Sequence, residues 1–321
     1  MPTWGGILEE LSKLKQQGNQ VPFDMVRRKY LVSLQQYTGR NVIIYASKWT
    51  RPQQLSPEAI SITDEDVQGF MEVFHGLKGD TLDLIVHSPG GFAESTEAIV
   101  SYLRAKFKDV RVIIPYAAMS AATMLACAAD KIVMGKHSFI GPIDPQMGIV
   151  TQLGYRTVPA QAILDQFELA KTECLDPKKL GPWLPILTQY GPSLLIECQN
   201  ALDLSQSLVS EWLKSYMFAG RKDSKKIASD ISKKLADHKS FKSHARHINR
   251  EKAKQFGLII EDLESDQKFQ DLVLSVFHAT THTLDGTPAV KIIENHNGKA
   301  YIKQQILIAP MMQQQQPQKQ K

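Results

Sequence analysis

Short apolar runs alternate with amphipathic stretches over the first half of the chain. Apolar, β-branched runs predict buried strands at 41–46 (NVIIYA), 82–87, 110–114 and 131–134. Helical periodicity occupies the segments between them, at 61–77, from an SPGG turn to about 107, and at 120–129. Strands separated by helices of this length indicate βαβ units, in which a mostly parallel sheet is covered on both faces. The pattern therefore predicts an α/β fold.

After about Gln146 the pattern becomes predominantly helical. We predict helices at 159–173, 193–218, 223–236, 249–257 and 267–280, a strand at 258–260, and a hairpin of 289–293 with 300–302. These elements suggest a helical N-terminal extension (1–40), a catalytic domain (41–265) with a helical insertion at about 174–201, and a C-terminal helix and hairpin (266–310). The Gln-rich tail, 311–321, has the composition of a disordered segment.

Composition narrows the class of protein. A chain of 321 residues with 43% hydrophobic content can bury a full core, and a net charge of +5 spread along it does not indicate a nucleic-acid partner. Cys127, Cys174 and Cys198 form no CxxC pair, which is typical of reduced thiols. The longest apolar stretches fall short of the ~20 residues of a membrane span, and the first residues have no apolar core of a signal peptide. We expect a soluble, cytoplasmic protein with no integral membrane span.

The turn after the second predicted strand carries candidate chemistry. Ser88-Pro89-Gly90-Gly91 places two glycines at the carboxyl edge of a parallel sheet, where ligands usually bind. Backbone amides exposed there, beside a helix N-terminus, would stabilise a carbonyl oxygen as it becomes an oxyanion. An ordinary tight strand-to-helix turn would explain the same residues equally well.

Ser120 follows the next predicted strand and opens a helix of small residues, SAATMLACAAD. A serine at a helix N-terminus is usually an N-cap. The order strand, SPGG, helix, strand, serine and helix favours a nucleophile instead, because it sets Ser120 on the crossover that neighbours the Gly-Gly turn.

Three segments together resemble a known superfamily. SPGG at 88–91, AAMSAATMLACAADKIVMG at 117–135 and HSFIGPID at 137–144 are similar to the Clp-protease/crotonase superfamily, and within it to signal peptide peptidase A and the serine dehydrogenase proteinases. The resemblance covers about residues 40–265. It implies a Clp/crotonase-like repeated ββα spiral with a mostly parallel sheet and a helical C-terminal part. It also implies a nucleophile at Ser120, an oxyanion hole at Gly90 and Gly91, cleavage of peptides or unfolded protein without cofactor or metal, and a trimeric or hexameric homo-oligomer.

A serine nucleophile requires a base. The stretch that carries a histidine in the soluble Clp peptidase is Gly-Pro-Ile-Asp-Pro-Gln here (141–146), without histidine. Signal peptide peptidases use a Ser-Lys dyad, and Lys214, on a helix before a Gly-Arg segment, matches the order of their motifs. Lys214 is therefore the predicted base. Lys171 and His244 remain alternatives, and an exposed helix lysine or a polar loop histidine would be the ordinary explanation of each.

Two other classes of function use the same fold. A crotonase-type acyl-coenzyme A hydratase or isomerase would use Glu94 or Asp144 as its base, and an inactive oligomeric scaffold would use no base. His278 and His282, at i and i+4 on the last predicted helix, could ligate a metal, but no third ligand accompanies them. For these two histidines we predict a solvated helix face.

Overall fold

The structure, a computed structural model, describes residues 3–50, 55–151 and 154–305, so the predicted Gln-rich tail at 311–321 lies outside the described residues. The strands are β1 (Asn41–Ser47), β2 (Thr81–His87), β3 (Asp109–Ile114), β4 (Ala117–Ala118), β5 (Lys131–Met134), β6 (Phe139–Ile140), β7 (Gln146–Thr151), β8 (Gly154–Pro159), β9 (Ile248–Asn249), β10 (Ile260–Asp262), β11 (Ala289–Asn295) and β12 (Ala300–Gln304).

Helices make up most of the remaining described chain. They are α1 (Trp4–Gln16), α2 (Pro22–Thr38), α3 (Pro57–Ile60), α4 (Glu65–Phe74), α5 (Ala93–Lys106), α6 (Ala121–Cys127), α7 (Ala160–Glu173), α8 (Pro177–Leu187), α9 (Leu194–Ser215), α10 (Ser224–Ala236), α11 (His238–Phe241), α12 (Arg250–Phe256) and α13 (Gln267–Gly286). A 3₁₀ turn, Leu263–Ser265, precedes α13.

Seven strands form the central sheet, in the order β10-β5-β3-β2-β1-β11-β12. The five strands from β10 to β1 run parallel, and β11 and β12 are added antiparallel at one side. Every residue of β1 and of β11 is buried, as expected for strands covered on both faces. The predicted α/β fold with a mostly parallel sheet is confirmed.

Each face of the sheet has its own hydrophobic core. Alternate strand residues such as Ile43 and Leu84 pack with α4, α5, α6, α9 and α10. The strand residues that alternate with these, such as Ile44 and Ile85, face the other side of the sheet and pack with α1, α2 and α13. The period of two along each strand therefore sends neighbouring side chains into different layers, and α6 lies in the first of them.

Two smaller sheets lie outside the central one. The first has the order β4-β6-β9 and joins the segment before α6 to the segment before α12. The second is the antiparallel pair β7-β8, which corrects the expectation that the chain is helical directly after Gln146. The segments MGIV and YRTV carry the β-branched residues of a hairpin. Only five of the pair's twelve residues are hydrophobic and none is buried, so the strand pattern in the sequence is weak.

The last helix is longer than predicted and more deeply placed. It continues to Gly286, and His282 is only 5% exposed, with its Nε2 at 2.9 Å from the Trp4 carbonyl oxygen. Burial lowers the pKa of His278 to about 4. The prediction of a solvated face for His278 and His282 is wrong, because α1 packs across this part of α13.

His87 ends β2, immediately before the Ser-Pro-Gly-Gly turn. It is 1% exposed, and within the described ranges its Nδ1 has no hydrogen-bond partner. The ring lies among aromatic neighbours, 5.5 Å from Trp49 and 5.1 Å from Phe277 between centroids. Burial lowers its pKa from 6.5 to about 4, despite a backbone hydrogen bond to Ala117. His87 is therefore a neutral imidazole in the folded protein at neutral pH.

This burial predicts an acid-sensitive contribution to stability. Because His87 takes up a proton more readily in the unfolded chain than in the folded one, the free energy of unfolding should fall as the pH is lowered from about 6.5 to about 4, by on the order of 3 kcal/mol. Urea unfolding of His87→Leu at pH 7 and pH 4.5 should show a correspondingly smaller loss. The exposed His75→Leu variant should lose as much as the wild type. Equal losses in all three proteins would contradict the assignment.

Candidate active site

Ser120 lies between β4 and the first residue of α6, in a backbone conformation that is rare for a residue with a side chain. Its φ is 52° and its ψ is −122°. Such a conformation costs on the order of 1–3 kcal/mol and persists only where the surroundings enforce it. A serine on a strained turn from strand to helix presents its hydroxyl outward at the helix N-terminus, as nucleophilic serines of α/β hydrolases do. Ser120 is half-buried, so its hydroxyl is not sealed in the core.

Gly90 packs directly on the backbone around Ser120. A Cβ on Gly90 would lie 2.5 Å from the Met119 carbonyl oxygen, 2.7 Å from Ser120 Cβ and 2.8 Å from the Ala121 amide nitrogen. The φ of Gly90 is also +97°, which side-chain-bearing residues rarely adopt. Glycine is required here for both reasons, and the contact brings the predicted turn and the predicted nucleophile together.

Backbone hydrogen bonds hold the two segments side by side. The Ser88 amide donates to the Ala117 carbonyl at 3.2 Å, and the Met119 amide donates to the Ser88 carbonyl at 3.0 Å. Ser88, two residues before Gly90, is therefore linked to the segment that ends at Met119, directly before Ser120. Main-chain hydrogen bonds thus set the Gly-Gly turn beside the segment that leads to Ser120.

Gly91 packs against a third segment, at Ile62. A Cβ on Gly91 would lie 2.2 Å from the Ile62 carbonyl oxygen. The Ile62 amide donates to the Gly90 carbonyl at 2.8 Å, and the Phe92 amide donates to the Ile62 carbonyl at 3.0 Å. These bonds orient the peptide groups on both sides of Gly91, and within the described ranges the Gly91 amide itself has no hydrogen-bond acceptor.

A buried ion pair holds the Ile62 segment. Lys291 Nζ lies 2.7 Å from Asp66 Oδ1 and donates to the Ser61 carbonyl at 2.6 Å. Asp66 also accepts from the Thr63 amide at 3.0 Å and from the Tyr45 hydroxyl at 2.9 Å. Burial lowers the pKa of Lys291, and the Asp66 carboxylate opposes this shift. The residues on both sides of Ile62 are thus tied to one charge pair in the core.

The backbone amides nearest Ser120 differ in whether they already donate a hydrogen bond within the protein. The Gly90 amide already donates to Ser88 Oγ at 3.1 Å. The Ala121 amide belongs to the first residue of α6, where helical N–H groups have no partner within the helix. Ala121 was not among the predicted site residues, although an amide directly after a nucleophile is a recurrent oxyanion donor. The role of Gly90 as an amide donor stays a prediction.

The two predicted lysines are on the surface. Lys214 Nζ pairs with Glu211 at 2.8 Å, with its side chain 43% exposed, although its neighbour Leu213 is in the core. Lys171 Nζ pairs with Glu168 at 3.0 Å, and its side chain is 58% exposed. A lysine acts as a base near neutral pH when it is desolvated, and neither ammonium group has that environment here.

Asp144 is a buried carboxylate that binds two histidines. It is 1% exposed, with His244 Nδ1 2.8 Å from Oδ1 and His238 Nδ1 2.9 Å from Oδ2. Contact of Nδ1 with a carboxylate leaves Nε2 of each ring as the atom able to accept a proton. His244 was among the predicted alternatives, whereas His238 was missed, because 94 residues separate it from Asp144 and no local motif marks it.

The Asp144 segment lies beside the start of α6. The Gly141 amide and carbonyl both bond to Thr123 Oγ1, at 3.0 Å each, and Thr123 is one helical turn after Ser120. β6 pairs with β4 and with β9, and the pairing of Ile140 with Ile248, if extended, sets Asp144 opposite His244. Ser120 and the Asp144–His244 pair therefore both lie next to this small sheet.

Comparison with known proteins identifies the family. Residues 59–273 match the family described as ClpP-like SDH-type serine proteinase, which is more than half of the chain. The chain belongs to this family. The match contains the Gly-Gly turn, Ser120, Asp144 and both histidines that bind it, whereas Lys291 lies beyond its end.

Two archaeal proteins are similar to this chain. The uncharacterized protein MJ0137 of Methanocaldococcus jannaschii is 30% identical over 201 residues, 62% of this chain and 60% of that protein. MJ1495 of the same organism, also uncharacterized, is 37% identical over 107 residues, 33% of this chain and 34% of that protein. The chain thus spans about three fifths and one third of the lengths of these relatives.

One solved structure is also similar. An alanine mutant of the 1510-N membrane-bound stomatin-specific protease matches with a TM-score of 0.34 and 15% identity, over 63% of this chain and 75% of that chain. In the chain described here, none of the helices within residues 3–50, 55–151 and 154–305 combines the length and apolarity needed to cross a membrane.

The contact at Gly90 predicts a specific cost of adding one methyl group. Gly39 has a similar positive φ, +68°, but open space around its Cβ position, so Gly39→Ala should lower the free energy of unfolding by about 1 kcal/mol, from backbone strain alone. Gly90→Ala adds overlap with the Met119 and Ala121 backbone and should lower it by about 3 kcal/mol or more. Urea unfolding of both variants measures the difference. Equal losses would show that the close approach is unimportant.

Proposed function

We propose that the protein hydrolyses peptide bonds, with Ser120 as the nucleophile. The observation that carries this proposal is the strained backbone of Ser120 at the start of α6, held against Gly90. Membership of a serine proteinase family supports it. Ser120 Oγ would attack the carbonyl carbon and lose its proton to a base, the amine would leave with that proton, and water would then release the acyl group from Ser120.

The oxyanion would be bound by backbone amides. We propose those of Gly91 and Ala121, because the hydrogen bonds of the turn leave the first unused and the helix start leaves the second without an intrahelical partner. Gly90 would act by its shape, allowing the turn to approach the serine. Each preorganised donor of this kind contributes on the order of 10²–10³ to kcat.

For the base we propose His244, oriented by Asp144. The buried carboxylate would hold the Nδ1 proton and stabilise the imidazolium that forms when Nε2 takes the serine proton. Lys214, the base implied by the resemblance to signal peptide peptidases, is the competing proposal. Its exposed ion pair with Glu211 supports it less well.

The environment of the carboxylates does not favour the hydratase alternative. Glu94 is exposed on α5, and both Asp144 oxygens are occupied by imidazole nitrogens. A trimeric or hexameric assembly, a cytoplasmic location and unfolded protein as substrate remain proposals that rest on the resemblance.

Covalent labelling tests the nucleophile. A fluorophosphonate probe should modify the wild-type protein at Ser120, and tryptic mass spectrometry should locate the adduct there. Ser120→Ala should remain folded and unlabelled, while Ser138→Ala, which removes a buried hydroxyl bonded to the Ile114 carbonyl, should still label at Ser120. Labelling of a different residue, or none in the folded wild type, would overturn the proposed mechanism.

Paired variants test the base. His244→Ala should lower the labelling rate by about 10²–10⁴-fold, because it removes the general base, whereas Lys214→Ala should change it less than about threefold. Asp144→Asn should lower the rate as well, and exposed His75→Ala should not. The reverse result, a large loss with Lys214→Ala and normal labelling of His244→Ala, would return the role of base to Lys214.

A further inference from the structure

A groove of about 720 Å³ lies between α10, the loop after α11, and α12. Three cationic side chains line it, those of Lys234, Arg246 and Lys252, together with the rings of Phe241 and Phe256. None of these side chains belongs to the proposed catalytic machinery. The lining combines cationic side chains with two aromatic rings, which suits an extended chain with charged side groups.

The three cations have no carboxylate partner in the described part of the chain. Lys234 Nζ and Arg246 each donate to a backbone carbonyl at 3.3 Å, and Lys252 Nζ lies 5.2 Å from the centroid of the Phe256 ring. Two other cationic residues of α12, the helix that carries Lys252, do have carboxylate partners. Arg250 has three acidic partners, and Lys254 pairs with Asp262. The charges that face the groove are therefore left uncompensated while those beside them are neutralised.

The one acidic residue of the groove wall is already engaged. Asp237 accepts from the Ser240 hydroxyl and from the Ser240 amide, and these hydrogen bonds hold its pKa below the usual value. Residues 221–254, which form this region, contain twelve Lys and Arg against four Asp and Glu. That excess of eight exceeds the net charge of +5 of the whole chain, so the remainder is net acidic.

The groove is connected to Ser120 by the small sheet β4-β6-β9. Ile248 and Asn249 line the groove and form β9, which pairs with β6, and β6 pairs with the β4 segment that ends two residues before Ser120. The near end of the groove, at β9, lies two strand spacings from β4, and Ser120 lies two residues beyond β4. These separations place the near end of the groove about 10–15 Å from Ser120. An extended peptide covers that distance in three to five residues.

We propose that this groove binds an acidic stretch of a peptide substrate, three to five residues from the bond cleaved at Ser120. The inference rests on the proposed peptidase function for its connection to catalysis, whereas the binding itself depends only on the groove. Carboxylates of the bound stretch would pair with Lys234, Arg246 and Lys252, and its backbone would lie along the Phe241 and Phe256 rings. The chain's own tail, 311–321, carries lysines and no acidic residue, and so is not complementary.

Binding is tested with the Ser120→Ala protein, so that no peptide is consumed. Two fluorescent twelve-residue peptides are compared by anisotropy, one with four consecutive Glu residues and one with Gln in their place. The Glu peptide should bind at least tenfold more tightly at 50 mM salt, and the difference should shrink at 500 mM salt, because the contacts are ionic.

Two triple variants locate the contact. Lys234→Gln, Arg246→Gln and Lys252→Gln together should abolish the preference for Glu. Lys222→Gln, Lys225→Gln and Lys226→Gln remove the same charge from exposed positions of the same basic segment outside the groove, and should keep it. Equal preference in the two triple variants would overturn the proposal, as would a twelve-residue oligothymidine that binds the groove more tightly than the Glu peptide.

Turnover with the active serine separates this inference from the proposed function. The variant with Lys234→Gln, Arg246→Gln and Lys252→Gln should raise the KM for the Glu peptide at least tenfold. Its kcat should be nearly unchanged, because the altered contacts lie away from the reacting atoms. Cleavage of both peptides with equal KM would overturn the groove proposal and leave the peptidase intact. Charge-dependent binding to Ser120→Ala, without cleavage by the wild type, would uphold the groove and overturn the peptidase.

Discussion

The approach of Gly90 to the backbone around Ser120 is the contact on which the candidate site depends. No side-chain atom fits between the two segments, so main-chain groups meet at van der Waals distance and define the positions of both. That approach requires neighbouring crossovers, which the adjacent parallel strands β2 and β3 supply, and a helix of small residues after the serine. The order of the strands, the glycines of the turn and the Ala-rich sequence of α6 are therefore all required for this one contact.

Around this rigid centre the polar groups are of two kinds. Asp66 and Lys291 are fully buried and act on the backbone of the turn through Ser61, Ile62 and Thr63, without access to a substrate. Asp144 is equally buried, but the histidines it holds keep one ring nitrogen each for other chemistry. Burial thus fixes the carboxylates in both clusters, and only the second cluster exposes a group that can exchange a proton.

Local sequence patterns predicted the centre of the fold and not its periphery. β1, β2, β3 and β5 lie within one residue of their predicted positions, because strands buried on both faces are continuous apolar runs bounded by turns. Ser120 and Gly90 were placed together for a related reason, since each lies in the connection between such a strand and the helix after it. The β7-β8 pair lacks a buried face and its signal is weak. The Asp144–His238 and Asp66–Lys291 contacts join residues 94 and 225 positions apart, and neither pair has a local motif.

The separation of Asp66 from Lys291 also sets an order of events during synthesis. The strands that carry Ser120 and the Gly-Gly turn emerge from the ribosome long before β11, which lies beyond residue 288. Until β11 inserts beside β1, Asp66 has no countercharge and the Ile62 segment lacks its anchor. A nascent chain therefore holds its serine and its turn without the clamp that aligns them. The antiparallel strand β11 therefore completes the arrangement around the Gly-Gly turn only when nearly the whole described chain has been made.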